Sequence, residues 1–234
     1  EQQNFGGTIS INRKWNENNA TKISSYISYY NLDATNNSIE NNQILDQTNN
    51  VLDFGFRLQN NHFISENLAF NSGYQYNEIG ITNYEKINNP SFQKEVKEVL
   101  RTHSLVLEAD FSSPDERAFL KTGLRSSYIE KFSEVIIEPR IQFHYLFSNQ
   151  FSTEILSKQK SQTASQVIDL QQDFLGVEKR RWVLSDNNEI PIQKSNQISL
   201  GFTFKNKNWL LTLENYYKEV NGISTRSQSF QNQL

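Results

Sequence analysis

Residues 196–223 read N-Q-I-S-L-G-F-T-F-K-N-K-N-W-L-L-T-L-E-N-Y-Y-K-E-V-N-G-I, and this stretch decides the fold. Apolar side chains stand at every second position of its first arm, and the positions between them are polar or small. Successive side chains of a β-strand point to opposite faces, so each arm is predicted to be a strand with one apolar and one polar face. The link Asn206-Lys207-Asn208 is so short that the chain must return antiparallel. The apolar face of this hairpin, which contacts either a protein core or lipid, carries Ile198, Leu200, Phe202, Phe204, Trp209, Leu211 and Leu213.

The composition excludes several classes of protein. The 234 residues are 36% hydrophobic with a mean hydropathy of −0.68, and no run approaches the roughly 18 apolar residues of a membrane-spanning helix. A transmembrane β-strand needs only alternate apolar residues, so the low hydropathy does not exclude a membrane barrel. The chain has no cysteine, hence no disulfide or cysteine–zinc site. Its net charge of −3, without a dense basic patch, argues against nucleic acid as a partner.

The same alternation recurs along the chain. It predicts an all-β, antiparallel, up-and-down arrangement of about ten strands in five hairpins, each strand near the roughly 9–11 residues that cross a bilayer at a tilt. Tight turns follow every odd-numbered strand, whereas long polar loops are predicted at residues 33–50, 83–101 and 157–195. Within the second loop, residues 92–100 are predicted to form a short amphipathic helix. Short turns at one end and long loops at the other are typical of bacterial outer-membrane barrels.

Aromatic residues near the predicted strand ends also favour a membrane barrel, because amphipathic rings prefer the depth of the headgroups. These are Trp15, Tyr29, Tyr74, Tyr76, Tyr128, Phe147, Phe151, Trp209 and Tyr217. Two alternatives stay open. One is a soluble β-sandwich or ligand-binding barrel. The other is a small non-transporting membrane barrel closed by about ten strands, such as a pore, an adhesin or an outer-membrane protease.

The last third of the chain carries more specific motifs. They are Glu138-Pro139-Arg140, R-W-V-L-S at 181–185, I-P-I-Q-K-S at 190–195 leading into Q-I-S-L-G at 197–201, E-N-Y-Y-K at 214–218, and N-G-I at 221–223. In this order and spacing they resemble the barrel of TonB-dependent outer-membrane receptors of the Bacteroidetes type. The resemblance covers residues 135–233, and the earlier part of the chain agrees with the family only in its regular succession of predicted hairpins.

The resemblance implies a larger protein than these 234 residues. Receptors of this family have a barrel of about 22 strands filled by a plug, and they bind TonB through a short periplasmic segment. No plug or TonB-binding segment is recognisable here, so residues 1–234 are expected to be a partial outer-membrane β-barrel domain. The resemblance also implies uptake of a scarce nutrient such as an iron chelate, a vitamin or an oligosaccharide. The implied location is the outer membrane, among lipid, and a surface lipoprotein is a further implied partner.

No catalytic constellation is recognisable, so an enzyme is not expected. His62, His103 and His144 lie on three different predicted strands without metal-ligand spacing. The sequence has no nucleophile elbow, Walker A loop or dinucleotide-binding glycine motif. No cofactor or metal is therefore predicted.

Two groups of residues are candidates for a binding role. On the predicted polar faces, Arg125, Glu138, Arg140 and His144 are expected to face the lumen, where they hold a plug or line the substrate path; the alternative is that they only satisfy one another. In the longest loop, a mixture of cations and aromatic rings suits stacking and pairing with an anionic ligand. This second group is Lys179, Arg180, Arg181 and Trp182, with Phe174 nearby. The alternative for Trp182 is packing of the loop against the barrel rim.

Overall fold

The computed structural model describes residues 1–38, 42–170 and 178–224, without the side chains of residues 38, 168–170 and 178–180. No helix in these ranges is long and apolar enough to cross a membrane. The strands are β1 (Gln2–Asn16), β2 (Asn19–Ser38), β3 (Gln43–Ser65), β4 (Leu68–Ile87), β5 (Phe92–Ser112), β6 (Ala118–Ile129), β7 (Glu134–Ser148), β8 (Phe151–Gln162), β9 (Ala164–Leu170), β10 (Glu178–Leu184), β11 (Gln193–Asn206) and β12 (Trp209–Asn221).

Ten of these strands form a single antiparallel sheet in the order β1-β2-β3-β4-β5-β6-β7-β8-β11-β12. Each strand pairs with the one before it, apart from the step from β8 to β11, so the sheet is up-and-down as predicted. The hairpin β9–β10 forms a separate two-stranded sheet inside the β8–β11 connection, which the sequence predicted to be a plain loop. The described sheet does not pair β1 with β12, and its ten strands do not close into a barrel by themselves.

The pairing register carries the two faces of the opening hairpin across the whole sheet. In β11 and β12, Phe202 lies opposite Leu213 on one face, and Gly201 lies opposite Glu214 on the other. The first face bears a continuous band of exposed apolar side chains, and we call it the belt face. It includes Ile9, Ile23, Leu58, Phe70, Leu107, Leu124, Ile141, Ile155, Leu200 and Leu213. The other face, which carries Arg125, Glu138 and Arg140, is called the charged face.

The belt face is the feature that the soluble alternatives cannot accommodate. Leu107 is 60% exposed and Ile9 is 71% exposed, and similarly exposed apolar residues occur on each of the ten strands. Soluble monomers rarely expose a continuous apolar surface larger than a few hundred Å². A sandwich would bury this face against a second sheet, but the small β9–β10 sheet packs at the opposite face. The belt face therefore requires an apolar environment outside the sheet.

The sheet ends differently on its two sides. Tight turns close every hairpin at one end, which we call the turn end, as predicted. At the opposite, far end two predicted loops are wrong: β2 runs to Ser38 and β3 begins at Gln43, and β4 runs to Ile87 and β5 begins at Phe92. The helix predicted over residues 92–100 is also wrong, because this segment is part of β5. Cross-strand side-chain bonds support the extension, such as Thr48 Oγ1 to Asp33 Oδ1 at 2.7 Å.

The apolar pattern reverses its face toward the far end. On β4, Phe70 lies on the belt face, whereas Ile79 and Ile81 lie on the charged face. Neither ladder of β4 has a register shift between Phe70 and Ile81, so the change lies in the sequence and not in the backbone. Leu100 of β5 follows the same change and is buried on the charged face.

Charged groups on the belt face mark the height at which the pattern reverses. Arg101 Nε donates to Glu78 Oε2 at 2.6 Å, and His103 Nε2 lies 2.7 Å from Glu130 Oε1. The Tyr74 hydroxyl lies 2.7 Å from His103 Nδ1. Charged side chains are costly in contact with hydrocarbon and favourable among water and headgroups. The apolar belt therefore ends near Glu78 and Arg101.

We expect the belt face to reject charge far more strongly than the charged face. Leu107→Arg places a guanidinium in the middle of the belt and should destabilise the membrane-inserted protein by about 2–4 kcal/mol. The matched control is Ser152→Arg, on the opposite face near the turn end, which should cost less than about 1 kcal/mol. Urea unfolding of the intact protein in lipid vesicles measures both. Equal costs for the two variants would contradict a lipid-facing belt.

Candidate functional site

Ion pairs cross the charged face between β5, β6 and β7. Lys121 Nζ lies 3.2 Å from Asp110 Oδ1, and Arg125 Nε lies 3.5 Å from Glu138 Oε2. Register explains the second pair, because Arg125 and Glu138 stand directly opposite each other on neighbouring strands. The structure thus brings together two of the four residues predicted to face the lumen.

Arg140 finds its partner one strand further away. Its Nη2 pairs with Glu108 Oε1 of β5, and the pair spans β6 at Gly123. A Cβ atom on Gly123 would lie 2.9 Å from Glu108 Cγ and 3.0 Å from Arg140 Nε, so the pair needs a glycine beneath it. Sequence reasoning did not select Glu108, although its alternate spacing with Asp110 on one face is visible in the sequence.

His144 lies on the charged face but apart from the ion pairs. It stands opposite Phe119, nearer the turn end, with the two ring centroids 5.9 Å apart. The ranges that the structure describes contain no group of three or more His, Cys, Asp or Glu residues arranged to hold a metal ion.

The glutamates of these pairs are much less exposed than the arginines. The side chains of Glu138 and Glu108 are 10% and 14% exposed, against 38% for Arg125 and 48% for Arg140. Exposed ion pairs contribute only about 0–1 kcal/mol, whereas a buried carboxylate that loses its partner is costly. The pairs therefore fix the positions of the two guanidinium groups more than they stabilise the sheet.

The Glu138-Pro139-Arg140 triplet ends the ladder between β7 and β8. Leu146 N donates to Arg117 O beside β6, so the even-numbered residues of β7 direct their backbone groups toward β6 and the odd-numbered ones toward β8. Pro139 therefore lacks the N–H that would continue the ladder to β8. The last ladder pair is Arg140 opposite Lys158, and beyond it the two strands separate.

Glu138 closes the gap that Pro139 leaves. Its Oε1 accepts the backbone N–H of Ser161 on β8 at 2.5 Å and the Ser161 hydroxyl at 2.8 Å. The neighbouring Ile137 is 56% exposed on the belt face, so the gap lies within the apolar belt. A backbone N–H without a hydrogen-bond partner costs several kcal/mol when it is surrounded by hydrocarbon. Pro139 thus ends the ladder, and Glu138 of the same triplet supplies the acceptor that the Ser161 N–H would otherwise lack.

The hairpin β9–β10 packs onto the charged face at the far end. Leu184 and Ile192 are buried against Ile81, Leu100 and Ile129 in a small apolar core. The reversed apolar pattern of β4 and β5 supplies the side of this core that belongs to the ten-stranded sheet, which we call the wall. The connection from β8 to β11 therefore covers the sheet instead of extending freely away from it.

Two asparagines hold β10 to the wall. Trp182 N donates to Asn49 Oδ1 at 3.3 Å, and Asn83 Nδ2 donates to Trp182 O at 3.1 Å. Asn49 Nδ2 also donates to Asn83 Oδ1 at 2.6 Å, and the two residues stand opposite each other on β3 and β4. Asn49 is only 5% exposed, so its amide depends on these bonds.

The predicted ligand-binding group falls partly within this hairpin. Trp182 packs against the apolar core, which agrees with the rim-packing alternative. Arg181 is half-buried opposite Val167. The backbones of Lys179 and Arg180 lie on β10, but their side chains are outside the described part of the protein, as is Phe174. A ligand-binding role for these residues stays a prediction.

Hydrogen bonds hold two carboxylates outside the belt in their ionised form. At the turn end, the Ser113 hydroxyl and the backbone N–H of Arg117 lower the pKa of Asp115. At the far end, hydrogen bonds from Thr48 and Asn31 lower the pKa of Asp33. A carboxylate whose pKa is lowered in the folded state stabilises the fold at any pH above its pKa in the unfolded chain. This stabilisation is lost as the pH falls through the pKa of the folded state.

Comparison with known proteins shows the fold. No protein-family model matches the sequence, and no curated protein matches it. A variant of the ferric enterobactin receptor of Pseudomonas aeruginosa is 11% identical with a TM-score of 0.68 over 94% of this chain and 35% of the receptor. The ferric yersiniabactin uptake receptor of Yersinia pestis is 9% identical with a TM-score of 0.64 over 94% and 36%. The RagAB peptide transporter is 11% identical with a TM-score of 0.62 over 94% and 30%.

These similarities confirm the predicted fold class. The chain has the fold of an antiparallel, up-and-down transmembrane β-barrel segment, and it spans about a third of the length of the receptors that it matches. The ten-stranded sheet with its exposed belt face does not fit the soluble β-sandwich alternative.

We expect the Glu138 carboxylate to protect the Ser161 amide. Glu138→Ala removes the acceptor, and loss of a bond to a charged group of this kind costs about 1.5–3 kcal/mol. Exchange of the Ser161 amide hydrogen in the intact protein should then accelerate roughly tenfold or more, since every 1.4 kcal/mol is a factor of ten. Glu138→Gln keeps an acceptor oxygen and should recover part of the protection.

Glu154→Ala is the control for this experiment, because among the described residues the Glu154 side chain accepts a bond only from the Gln142 side chain. It removes the same charge from the neighbouring strand and should leave Ser161 exchange unchanged. Equal acceleration in Glu154→Ala and Glu138→Ala would show that charge, and not the bond to Ser161, protects the amide.

We also expect the asparagine pair to hold the hairpin. The Asn49→Ala/Asn83→Ala variant removes the bonds to Trp182 while leaving the ladder between β3 and β4 intact. Proteolysis between residues 163 and 192 should become several-fold faster, because each lost bond weakens the attachment by about 1 kcal/mol. Asn50→Ala, one position away on the belt face, should not change the cleavage rate; an unchanged rate in the double variant as well would contradict the role of the pair.

Proposed function

We propose that the chain forms part of the barrel wall of a TonB-dependent receptor in the outer membrane, which imports a scarce nutrient. The observation that carries the proposal is the two-faced sheet, with a continuous exposed apolar belt on one side and ordered ion pairs on the other. Its fold neighbours include a ferric enterobactin receptor and a ferric yersiniabactin uptake receptor, and these support a receptor or uptake function. The motifs of residues 135–233 support the Bacteroidetes type.

In this proposal residues 1–234 are a partial barrel domain, and other parts of the receptor supply the plug and the segment that binds TonB. The belt face contacts outer-membrane lipid, and the charged face lines the lumen. Arg125, Glu138, Arg140 and His144 then contact the plug or the substrate path. The chain performs no catalysis, in keeping with neighbours that are receptors and transporters.

The nutrient is proposed to be a small ligand such as an iron chelate, a vitamin or an oligosaccharide. Ferric siderophore receptors among the fold neighbours favour an iron chelate, and the RagAB peptide transporter adds peptides to the candidates. Arg181 and Trp182, together with Lys179 and Arg180, are proposed to contact this ligand from the β9–β10 hairpin. A surface lipoprotein partner is proposed from the family resemblance of residues 135–233 alone.

We expect uptake to depend on both TonB and Arg140. Arg140→Ala in the intact receptor should lower the uptake rate roughly tenfold, as expected for the loss of one charged contact worth about 1.5 kcal/mol, while the amount of folded protein in the outer membrane stays the same. Uptake that survives loss of TonB would instead indicate a passive pore.

Two variants separate the role of Arg140 from a folding defect. Glu108→Gln/Arg140→Ala removes the partner carboxylate as well, so no buried charge is left unpaired. Arg13→Ala removes a cation that stacks on Trp15 on the belt face, with the guanidinium 4.3 Å from the ring centroid. If the double variant regains normal uptake, Arg140 serves only to neutralise Glu108.

A further inference from the structure

A shallow concavity on the charged face lies between β3 and β6. Its volume is about 380 Å3. Gly73 and Val106 form its floor, and they stand opposite each other on β4 and β5. Arg57, Gln59 and Gln75 form one side. The other side includes Glu108 together with Lys121, Arg125 and Arg140.

The two sides differ in how their charges are balanced. The cations on the β6 and β7 side already have acidic partners, since Lys121, Arg125 and Arg140 pair with Asp110, Glu138 and Glu108. Arg57 has no hydrogen bond or ion pair within the part of the protein that the structure describes. Arg57 therefore has no ion-pair partner among the described residues, although its charge acts at longer range on Tyr26, which is hydrogen-bonded to Asp53.

The side-chain amides beside Arg57 are also unused. Gln59 and Gln75 have no hydrogen-bond partner among the described residues. Gln75 stands directly opposite Arg57, and Gln59 is two residues further along the same strand, so all three point to the charged face. Opposite residues have Cβ atoms about 4.5–5.5 Å apart, which places a guanidinium and two amide groups within reach of one small ligand.

We propose that this concavity is a binding site for an oxyanion of the carboxylate or phosphate type, carried by a small molecule in the lumen. The guanidinium of Arg57 offers a planar fork for two oxygens of the anion, and Gln59 and Gln75 offer further N–H donors. The cations of β6 and β7 on the opposite side are each balanced by a carboxylate, so Arg57 supplies the net positive charge of the site. The site rests on the proposed function in one respect, that the charged face lines a lumen.

The observations favour a free anion over a carboxylate of the described sheet. The acidic residues at and beside the concavity are already engaged. Glu108, Asp110 and Glu138 form ion pairs, and Asp53 accepts hydrogen bonds from Tyr26 and Asn77. The small volume and the floor of Gly73 and Val106 suit one compact group. A transported nutrient with a carboxylate or phosphate group would pass this point on its way along the wall.

The test is calorimetric titration of the intact, detergent-solubilised protein with citrate and with inorganic phosphate at low ionic strength. We expect saturable binding of at least one probe, weakened by added salt. Arg57→Gln should weaken it roughly tenfold or more, in line with a charged bond of about 1.5–3 kcal/mol. Arg13→Gln is the matched control, because it removes the same charge from the belt face and should leave the affinity unchanged.

Three outcomes would overturn the site. They are equal affinities for wild type and Arg57→Gln, equal losses in Arg57→Gln and Arg13→Gln, or no saturable binding of either probe to the wild type. In the last case a lowered thermal midpoint of Arg57→Gln would identify the occupant as a carboxylate from elsewhere in the protein. Because titration does not require transport, anion binding without TonB-dependent uptake would retain the site and reject the proposed function.

Discussion

Every backbone N–H and C=O group that lies in the apolar belt must find a partner inside the protein, since lipid offers none. The ten-stranded sheet meets this requirement through ladders that run without interruption over most of the strand lengths. The ladder from β7 to β8 is the instructive exception. Pro139 stops it within the belt, and the carboxylate of Glu138 accepts the exposed N–H of Ser161. A buried acid thus accepts the N–H that the interrupted ladder leaves without a backbone carbonyl partner, and Arg125 is held near it as the counter-charge.

The reversal of the apolar pattern shows how the surroundings change along the sheet. Near the turn end the belt face is apolar and the charged face is polar, as expected between lipid and a hydrated interior. Beyond Glu78 and Arg101 the belt face becomes charged, and Ile81 and Leu100 turn toward the hairpin β9–β10. The backbone register is unchanged across this point, so the sequence alone adapts one continuous strand to two environments. At the far end the wall has a small protein core of its own.

The sequence predicted the parts of the fold in which each strand has one strongly apolar face. The strands with a lipid-facing stripe and the tight turns between them follow from period-two alternation, as in β11 and β12. The far-end extensions of β2 to β5 were missed because Asn, Gln and Thr occupy both faces there, which hides the alternation. The hairpin β9–β10 was missed because its apolar residues, such as Leu184, are buried against the wall and do not form a regular apolar stripe in the sequence. Alternate charges predicted that Arg140 shares a face with Arg125 and Glu138, but its pairing with Glu108 across Gly123 depends on the register of three strands, which the sequence does not state.

The charged face and the hairpin meet at the gap between β7 and β8. Glu138 contacts Arg125 on one side and Ser161 on the other, and Ser161 lies only a few residues before the start of β9 at Ala164. The hairpin itself is held by the Asn49–Asn83 pair, by Leu184 and by Ile192, whereas the wall is held by complete ladders on both sides of most strands. A few hydrogen bonds and a small core contribute only a few kcal/mol. The attachment of the hairpin therefore contributes much less stability than the ladders that hold the barrel wall together.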